Sequence, residues 1–179
     1  LRQGWVSGEV GGYRRELDIE DAISKVIYTA NQVNYTREVF SSAPDQALIM
    51  SITADKPGAV TFTARLSRPG NKAVIEAVNN EILMNEHVGN GTGVRMETRL
   101  KLITDGGKIV SGGDSIRIEK ANSVLIFLTA ATDYFGNDPA VTSAKQLENV
   151  SNRSYSDIRK DHITDYQKYF KRVSLDLGS

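Results

Sequence analysis

The stretch that decides the fold reads Val60-Thr61-Phe62-Thr63-Ala64-Arg65-Leu66. Apolar side chains occupy every second position, and Thr or Arg side chains occupy the positions between them. Because successive residues of a β-strand point to opposite faces, this alternation is typical of an antiparallel strand with one buried and one solvated face. The preceding Asp55-Lys56-Pro57-Gly58 predicts a turn, since Pro and Gly stand at positions that turns favour.

Runs with a similar pattern lie on both sides of this strand. Residues 23–40 alternate around Asn31-Gln32, which predicts a hairpin. Residues 94–104 form a longer alternating strand, and the apolar run at residues 124–131 predicts a strand buried in the core. About ten such segments, spaced roughly 8–12 residues apart, indicate a mainly β chain folded as an antiparallel β-sandwich. Since no helical segment separates the strands, the pattern argues against a doubly wound parallel sheet.

The last part of the chain has a different period. Residues 142–172 are predicted to be helical, and Ser154 is a favourable N-cap. Aromatic and apolar side chains then recur at helical spacing and form one stripe, the predicted interdomain contact: Tyr155, Ile158, His162, Tyr166, Tyr169 and Phe170. Val173, Leu175 and Leu177 change to a period of two, which predicts a short extended end.

The composition restricts the classes of function. The 179 residues include 22 Lys and Arg and 22 Asp and Glu, so the formal net charge is zero. This balance disfavours a general electrostatic attraction to nucleic acid or to an anionic membrane. There is no cysteine, which excludes disulfides, thiolate metal sites and cysteine nucleophiles. No apolar run reaches the roughly 18 residues of a membrane span. Because the sequence begins with neither an initiator Met nor a signal peptide, we expect that it starts inside a longer protein.

Few segments suggest a ligand site. Gly89-Asn90-Gly91-Thr92-Gly93 resembles a phosphate-binding loop, but a strand rather than a helix is predicted after it, which favours a flexible hairpin loop. The only two histidines are His87 and His162. We expect His87 to be exposed beside this loop. His162 lies on the apolar stripe, where a packed or interface histidine is favoured over a metal ligand.

Acidic side chains occur in pairs at three predicted turns: Glu16/Asp18, Glu20/Asp21 and Asp133/Asp138. A glycosidase needs two carboxyl groups about 5–10 Å apart across a sugar, and a sequence does not show that separation. The loop from Asp133 to Asp138 lacks the closely spaced carboxylates of a strong calcium site. From the residues alone we therefore predict no catalytic, cofactor or metal site.

Seven segments carry a family resemblance when they are taken in order: residues 13–19 (YRRELDI), 35–40 (YTREVF), 44–46 (PDQ), 53–58 (TADKPG), 121–124 (ANSV), 130–134 (AATDY) and 161–178 (DHITDYQKYFKRVSLDLG). Each segment is weak evidence by itself, but their combination and order are specific. Together they resemble the N-terminal domain of glycoside hydrolase family 95, the inverting α-L-fucosidases, over nearly the whole chain.

The resemblance implies a supersandwich-like N-terminal β-domain, a helical linker, an (α/α)6 barrel and a C-terminal β-domain. Residues 1–140 would form the sandwich, with its first strands missing, and residues 141–179 would form the linker helix and a short extended tail. The family's general acid Glu, and the Asn and Asp residues that activate water, belong to the barrel, so no catalytic residue is carried over to this chain. The implied partners are the barrel of a longer parent hydrolase and, for that parent, fucosylated glycans. The implied location is secreted or, in bacteria, periplasmic.

Three functions remain open at this point. The leading hypothesis is a non-catalytic accessory domain, inactive by itself, that packs on and supports the catalytic barrel of an α-L-fucosidase-like hydrolase. The alternative is a self-standing carbohydrate-binding β-sandwich module, which usually needs exposed aromatic side chains that stack on sugars. Trp5 is the only tryptophan, and most tyrosines lie on predicted strands or on the tail helix. A third hypothesis, a small enzyme, is disfavoured because no spaced catalytic motif is present.

Overall fold

The computed structural model describes residues 10–70, 72–175 and 178, so Trp5 and Leu177 lie outside the described residues. The strands are β1 Val10–Asp18, β2 Ile23–Ala30, β3 Val33–Ser42, β4 Ala47–Ala54, β5 Val60–Arg65, β6 Val74–Val78, β7 Glu81–His87, β8 Arg95–Asp105, β9 Lys108–Gly112, β10 Ser115–Ala121 and β11 Ser123–Thr132. The helical segments are α1 Val88–Gly91, α2 Pro139–Ser151 and α3 Tyr155–Phe170. α1 is a short turn rather than a regular helix, because Gly89 and Asn90 have left-handed backbone angles.

The strands of the described residues form two antiparallel sheets. The large sheet has eight strands in the order β1-β2-β3-β4-β11-β8-β7-β6, and the small sheet has three in the order β5-β10-β9. Each pair of neighbouring strands runs antiparallel. The prediction of a mainly β chain with an antiparallel sandwich is confirmed.

The predicted hairpin at residues 23–40 is formed by β2 and β3. Asn31 and Gln32 connect the strands with φ angles of 51° and 60°, as expected for a tight hairpin turn with both central residues in the left-handed region. Tyr28 and Tyr35 face each other across the pair, and their rings stack with centroids 5.0 Å apart. The turn therefore fixes the register that the alternation of side chains requires.

Three connections at one end of the sandwich carry the chain from one sheet to the other, namely β4 to β5, β8 to β9 and β10 to β11. The turn Asp105-Gly106-Gly107 follows β8 and delivers β9 to the small sheet. Asn122 ties these connections together. Its Oδ1 accepts a hydrogen bond from the Gly58 amide at 2.9 Å, and its Nδ2 donates to Oδ2 of Asp105 at 3.3 Å.

The large sheet has a core on each of its two faces. On β11, Val124 and Ile126 face the small sheet and join one buried cluster. Phe127 faces the other way and joins a second cluster with Leu147 of α2 and Ile158 of α3. Because both faces are covered, the strand is apolar at consecutive positions, which explains the unbroken run predicted to be buried.

The C-terminal part contains two helices, whereas the side-chain pattern predicts a helix start only at Ser154. The N-cap predicted at Ser154 is confirmed, because its Oγ accepts a hydrogen bond from the Asp157 amide at 3.1 Å. α2 begins earlier, at Pro139, and Asp138 caps it by accepting a hydrogen bond from the Ala140 amide at 2.8 Å. The carboxylate of Asp138, considered above as a calcium ligand, thus starts a helix.

The described end of the chain is not paired with either sheet. Val173 and Leu175 follow α3 and are each 81% exposed. In the described residues, no helix combines the length and the apolar character that a membrane crossing needs.

Candidate functional site

The predicted aromatic stripe on α3 is buried at its start and exposed at its end. Ile158 is fully buried and His162 is 5% exposed. Tyr155 and Tyr166 are half-buried. The last two members of the stripe are more exposed than the others, with 64% of Tyr169 and 38% of Phe170 accessible to solvent. They are therefore the positions of the stripe that the chain itself covers least. The interdomain role of these six residues stays a prediction.

A continuous series of ring contacts connects the buried part of this stripe to the exposed part. Phe40 of β3 lies at its base, with its ring centroid 4.7 Å from that of His162 and 6.0 Å from that of Tyr155. His162 is followed by Tyr166 at 6.3 Å and by Phe170 a further 5.4 Å along, with interplanar angles of 23° and 22°. We call these five side chains the aromatic ladder. Since each ring restricts its neighbour, the exposed rings are oriented by the core.

Hydrogen bonds hold α3 against the connection between β1 and β2. Nε2 of His162 lies 3.0 Å from the carbonyl oxygen of Asp21, and because a carbonyl only accepts, Nε2 carries the proton. The hydroxyl of Tyr166 donates to the carbonyl oxygen of Ile19 at 3.0 Å. The hydroxyl of Tyr155 donates to Oε2 of Glu38 at 2.7 Å. Burial, together with this hydrogen bond, raises the pKa of Tyr155 above its usual range.

A second group of polar side chains fastens α2 to the large sheet. Oε1 of Glu97, a residue only 6% exposed, accepts hydrogen bonds from Nε of Arg99 at 2.7 Å and from Oγ of Ser143 at 2.8 Å. Arg99 also donates from Nη1 to Oε1 of Glu81 at 2.8 Å. The side-chain pattern of the sequence does not predict this cluster. Glu97 and Arg99 stand on the polar positions of an alternating strand, which predicts a solvated face, but α2 covers that face.

A third feature is a pair of exposed aromatic rings between β11 and α2. Tyr134 is 73% exposed and Phe135 is 86% exposed. Their centroids are 4.9 Å apart at an interplanar angle of 85°, so one ring meets the other edge to face. Beside them, Asp133 accepts hydrogen bonds from the backbone amide and Nε of Arg95, both at 2.9 Å. The side-chain hydrogen bond from Arg95 lowers the pKa of Asp133 below its usual range. The sequence pattern does not predict such a pair, because it does not show which aromatic side chains of a loop remain exposed to solvent.

The other sequence candidates have local structural roles. Nε2 of His87 lies 3.0 Å from the carbonyl oxygen of Gly93, within the glycine-rich loop. This loop forms the turn α1 and then enters β8, as predicted. Asp18 accepts hydrogen bonds from the amides of Glu20 and Asp21, so this carboxylate shapes the turn after β1. Among the described residues, no group of three or more His, Asp or Glu side chains is placed to hold a metal ion.

Several relatives match along almost the whole chain. An alpha-L-fucosidase 2 of Arabidopsis thaliana is 32% identical over 93% of the chain. A probable alpha-fucosidase A of Aspergillus niger is 20% identical over 94% of the chain. In each case the match covers 24% of the relative, so the chain spans about a quarter of the length of these proteins.

The fold has a counterpart among solved structures. A putative kojibiose phosphorylase from the human microbiome superposes with a TM-score of 0.58 over 92% of the chain and 26% of its own length. At 12% identity this likeness concerns the fold alone. Residues 2–137 match the sequence profile of the family described as glycosyl hydrolase family 65, N-terminal domain. Together with the fucosidase relatives, this match confirms the predicted resemblance, and the chain belongs to the glycosyl hydrolase family 65 N-terminal domain family.

Proposed function

We propose that this chain is the non-catalytic N-terminal accessory domain of an α-L-fucosidase-like glycoside hydrolase, and that it packs on and supports a catalytic (α/α)6 barrel. The relatives support the first part, because both are named as fucosidases and the chain corresponds to about a quarter of each. The parent, meaning the longer hydrolase, would act on fucosylated glycans and would be secreted or periplasmic.

The aromatic ladder carries the proposal for the docking surface. Its first rings are covered by β3, while Phe170 at its end remains 38% exposed beside Tyr169, which is 64% exposed. Ile19, whose carbonyl accepts the hydrogen bond from Tyr166, is itself 64% exposed. Oriented apolar side chains grouped on a surface are typical of an interface with another protein surface. We call Ile19, Tyr169 and Phe170 the docking patch, and the barrel is its proposed occupant.

The first test concerns the activity of the isolated chain. We expect no release of fucose from fucosylated oligosaccharides by the chain, and release by the parent measured in parallel. Turnover that survives repurification, and that is lost when an acidic residue of this chain is replaced, would contradict the assignment as an accessory domain.

The second test concerns the docking patch. Phe170→Asp places a charge on a side chain that the isolated chain leaves partly exposed, so the melting temperature of the isolated chain should fall only moderately, by about 2–8 °C. In the parent the same change would bury a carboxylate against the barrel, which lowers the melting temperature and the fucosidase activity. Tyr13→Asp on β1 is the matched control, because Tyr13 is 63% exposed and lies outside the patch. A parent that tolerates Phe170→Asp as well as Tyr13→Asp would refute the interface.

A further inference from the structure

The exposed ring pair Tyr134 and Phe135 lies on a loop whose backbone is fixed at both ends. The Gly136 amide donates to the carbonyl oxygen of Asp133 at 2.8 Å, closing a turn around the two aromatic residues. The Asp133 amide also donates to the carbonyl oxygen of Arg95 at 3.1 Å. After the loop, Asp138 caps α2. These contacts hold the two rings outward on a defined turn.

The two rings present open faces to solvent. Phe135, at 86%, is the most exposed large hydrophobic side chain among the described residues, and Tyr134 is 73% exposed. In their edge-to-face arrangement the rings are nearly perpendicular, at 85°, so they form a corner with two differently oriented surfaces. An aromatic face offers an apolar surface with a negative quadrupole, which attracts the weakly positive C–H groups of a sugar ring.

The surroundings of the ring pair are polar. Arg95 and Asp133 form an ion pair at 2.9 Å next to Tyr134, and the Arg95 side chain is 56% exposed. Asn137 and Asp138 follow on the exposed side of the loop. Val141, in the first turn of α2, is a further exposed apolar side chain, at 66%. Exposed aromatic rings beside guanidinium, carboxylate and amide groups suit a ligand that has both an apolar face and hydroxyl groups.

We propose that Tyr134 and Phe135 form a carbohydrate-binding contact for a galacto-configured pyranose, with Arg95 and Asp133 beside them as hydrogen-bonding groups. In this configuration the C–H bonds at C3, C4 and C5 share one face of the ring, which stacks on an aromatic side chain. Fucose and galactose both have it. The choice of a galacto-configured sugar, and of fucose in particular, rests on the proposed function, whereas the stacking contact does not.

The test is titration of the ¹⁵N-labelled chain with methyl α-L-fucopyranoside, methyl β-D-galactopyranoside and methyl β-D-glucopyranoside. We expect saturable shifts of the amide resonances of the turn from Asp133 to Asn137 with the first two sugars and weaker shifts with the glucoside. Tyr134→Ala combined with Phe135→Ala should weaken binding by at least about tenfold, since a stacking contact is worth on this order.

Two variants separate stacking from general apolar contact and from loss of folding. Tyr169→Ala removes another ring, 64% exposed, and should leave sugar binding unchanged. Phe135→Leu keeps an apolar side chain but removes the flat face, so it should also weaken binding, with the melting temperature of the chain preserved.

Three results would decide the matter. Saturable binding of the galactoside but not of the fucoside would support the stacking contact and overturn fucose as its ligand. Full binding by Phe135→Leu would overturn the stacking contact. No shift of the loop with any of the three sugars would overturn the carbohydrate site altogether.

Discussion

The burial of α3 falls along its length, and this predicts a graded loss of stability when its stripe is shortened residue by residue. Ile158 is fully buried among Ile23, Phe40 and Phe127, so Ile158→Ala removes three carbon atoms from a packed site. The transfer of these atoms is worth about 2.4 kcal/mol, at about 0.8 kcal/mol each. The cavity left behind extends the expected loss to about 2–5 kcal/mol.

Phe170→Ala should cost less in the same chain. Phe170 is 38% exposed, so roughly 60% of the 1.5–3 kcal/mol for full burial is at stake, which is about 1–2 kcal/mol. In the proposed parent the barrel would cover the rest of the ring, and the loss should rise toward the about 3–5 kcal/mol of a fully buried phenylalanine.

Urea and thermal unfolding of both variants measure this difference. For a chain of this size about 2–4 °C is expected per kcal/mol, so Ile158→Ala should lower the melting temperature by about 4–20 °C and Phe170→Ala by clearly less. Tyr169→Ala, at a site 64% exposed, serves as the control with the smallest change. If Phe170→Ala is as costly as Ile158→Ala in the isolated chain, the gradient is refuted. If its cost is the same in chain and parent, the docking patch is refuted.

Three further predictions follow from polar contacts. Glu97→Ala removes the buried carboxylate that accepts hydrogen bonds from Arg99 and Ser143 beneath α2, and Glu81 remains as the carboxylate partner of Arg99, so the chain should be destabilised by about 1.5–3 kcal/mol in urea unfolding. Arg117→Ala in the exposed pair with Glu119 should cost about 0–1 kcal/mol, and equal losses would contradict the role of Glu97. Asp138→Ala should cost about 0.5–2 kcal/mol by removing the N-cap of α2, with Asp138→Asn retaining most of the stability. Folding raises the pKa of the Tyr155 hydroxyl, so this residue stabilises the folded chain fully below the unfolded pKa of about 10, and the stabilisation is lost as the pH rises from there toward the folded pKa. The free energy of unfolding, measured from pH 8 to 12, should therefore decline less steeply for Tyr155→Phe than for the unchanged chain. An equal decline in both proteins would refute this linkage.

The local side-chain pattern specifies the architecture of the strands, because their alternation has a period that local geometry imposes. Residues 60–66 and 94–104 alternate because one face of each strand packs into the apolar core between the sheets, and Phe62 and Leu100 lie in that cluster. The hairpin at Asn31-Gln32 was equally predictable, since the turn and the flanking alternation agree. The start of α2 is also encoded, because Asp138 is a favourable N-cap residue and Pro139 follows it at the first helical position, although an acidic residue between two elements is equally typical of a loop.

What covers each surface depends on how the sheets and helices pack together. Glu97 and Arg99 occupy positions that the alternation assigns to solvent, yet α2 places them in a buried ion-paired cluster. Conversely, nothing in the period of the stripe on α3 distinguishes the buried Ile158 from the exposed Tyr169. A side-chain pattern specifies the direction in which a residue points, whereas burial depends on contacts between segments far apart in the chain, and those exist only after the sheets and helices have packed.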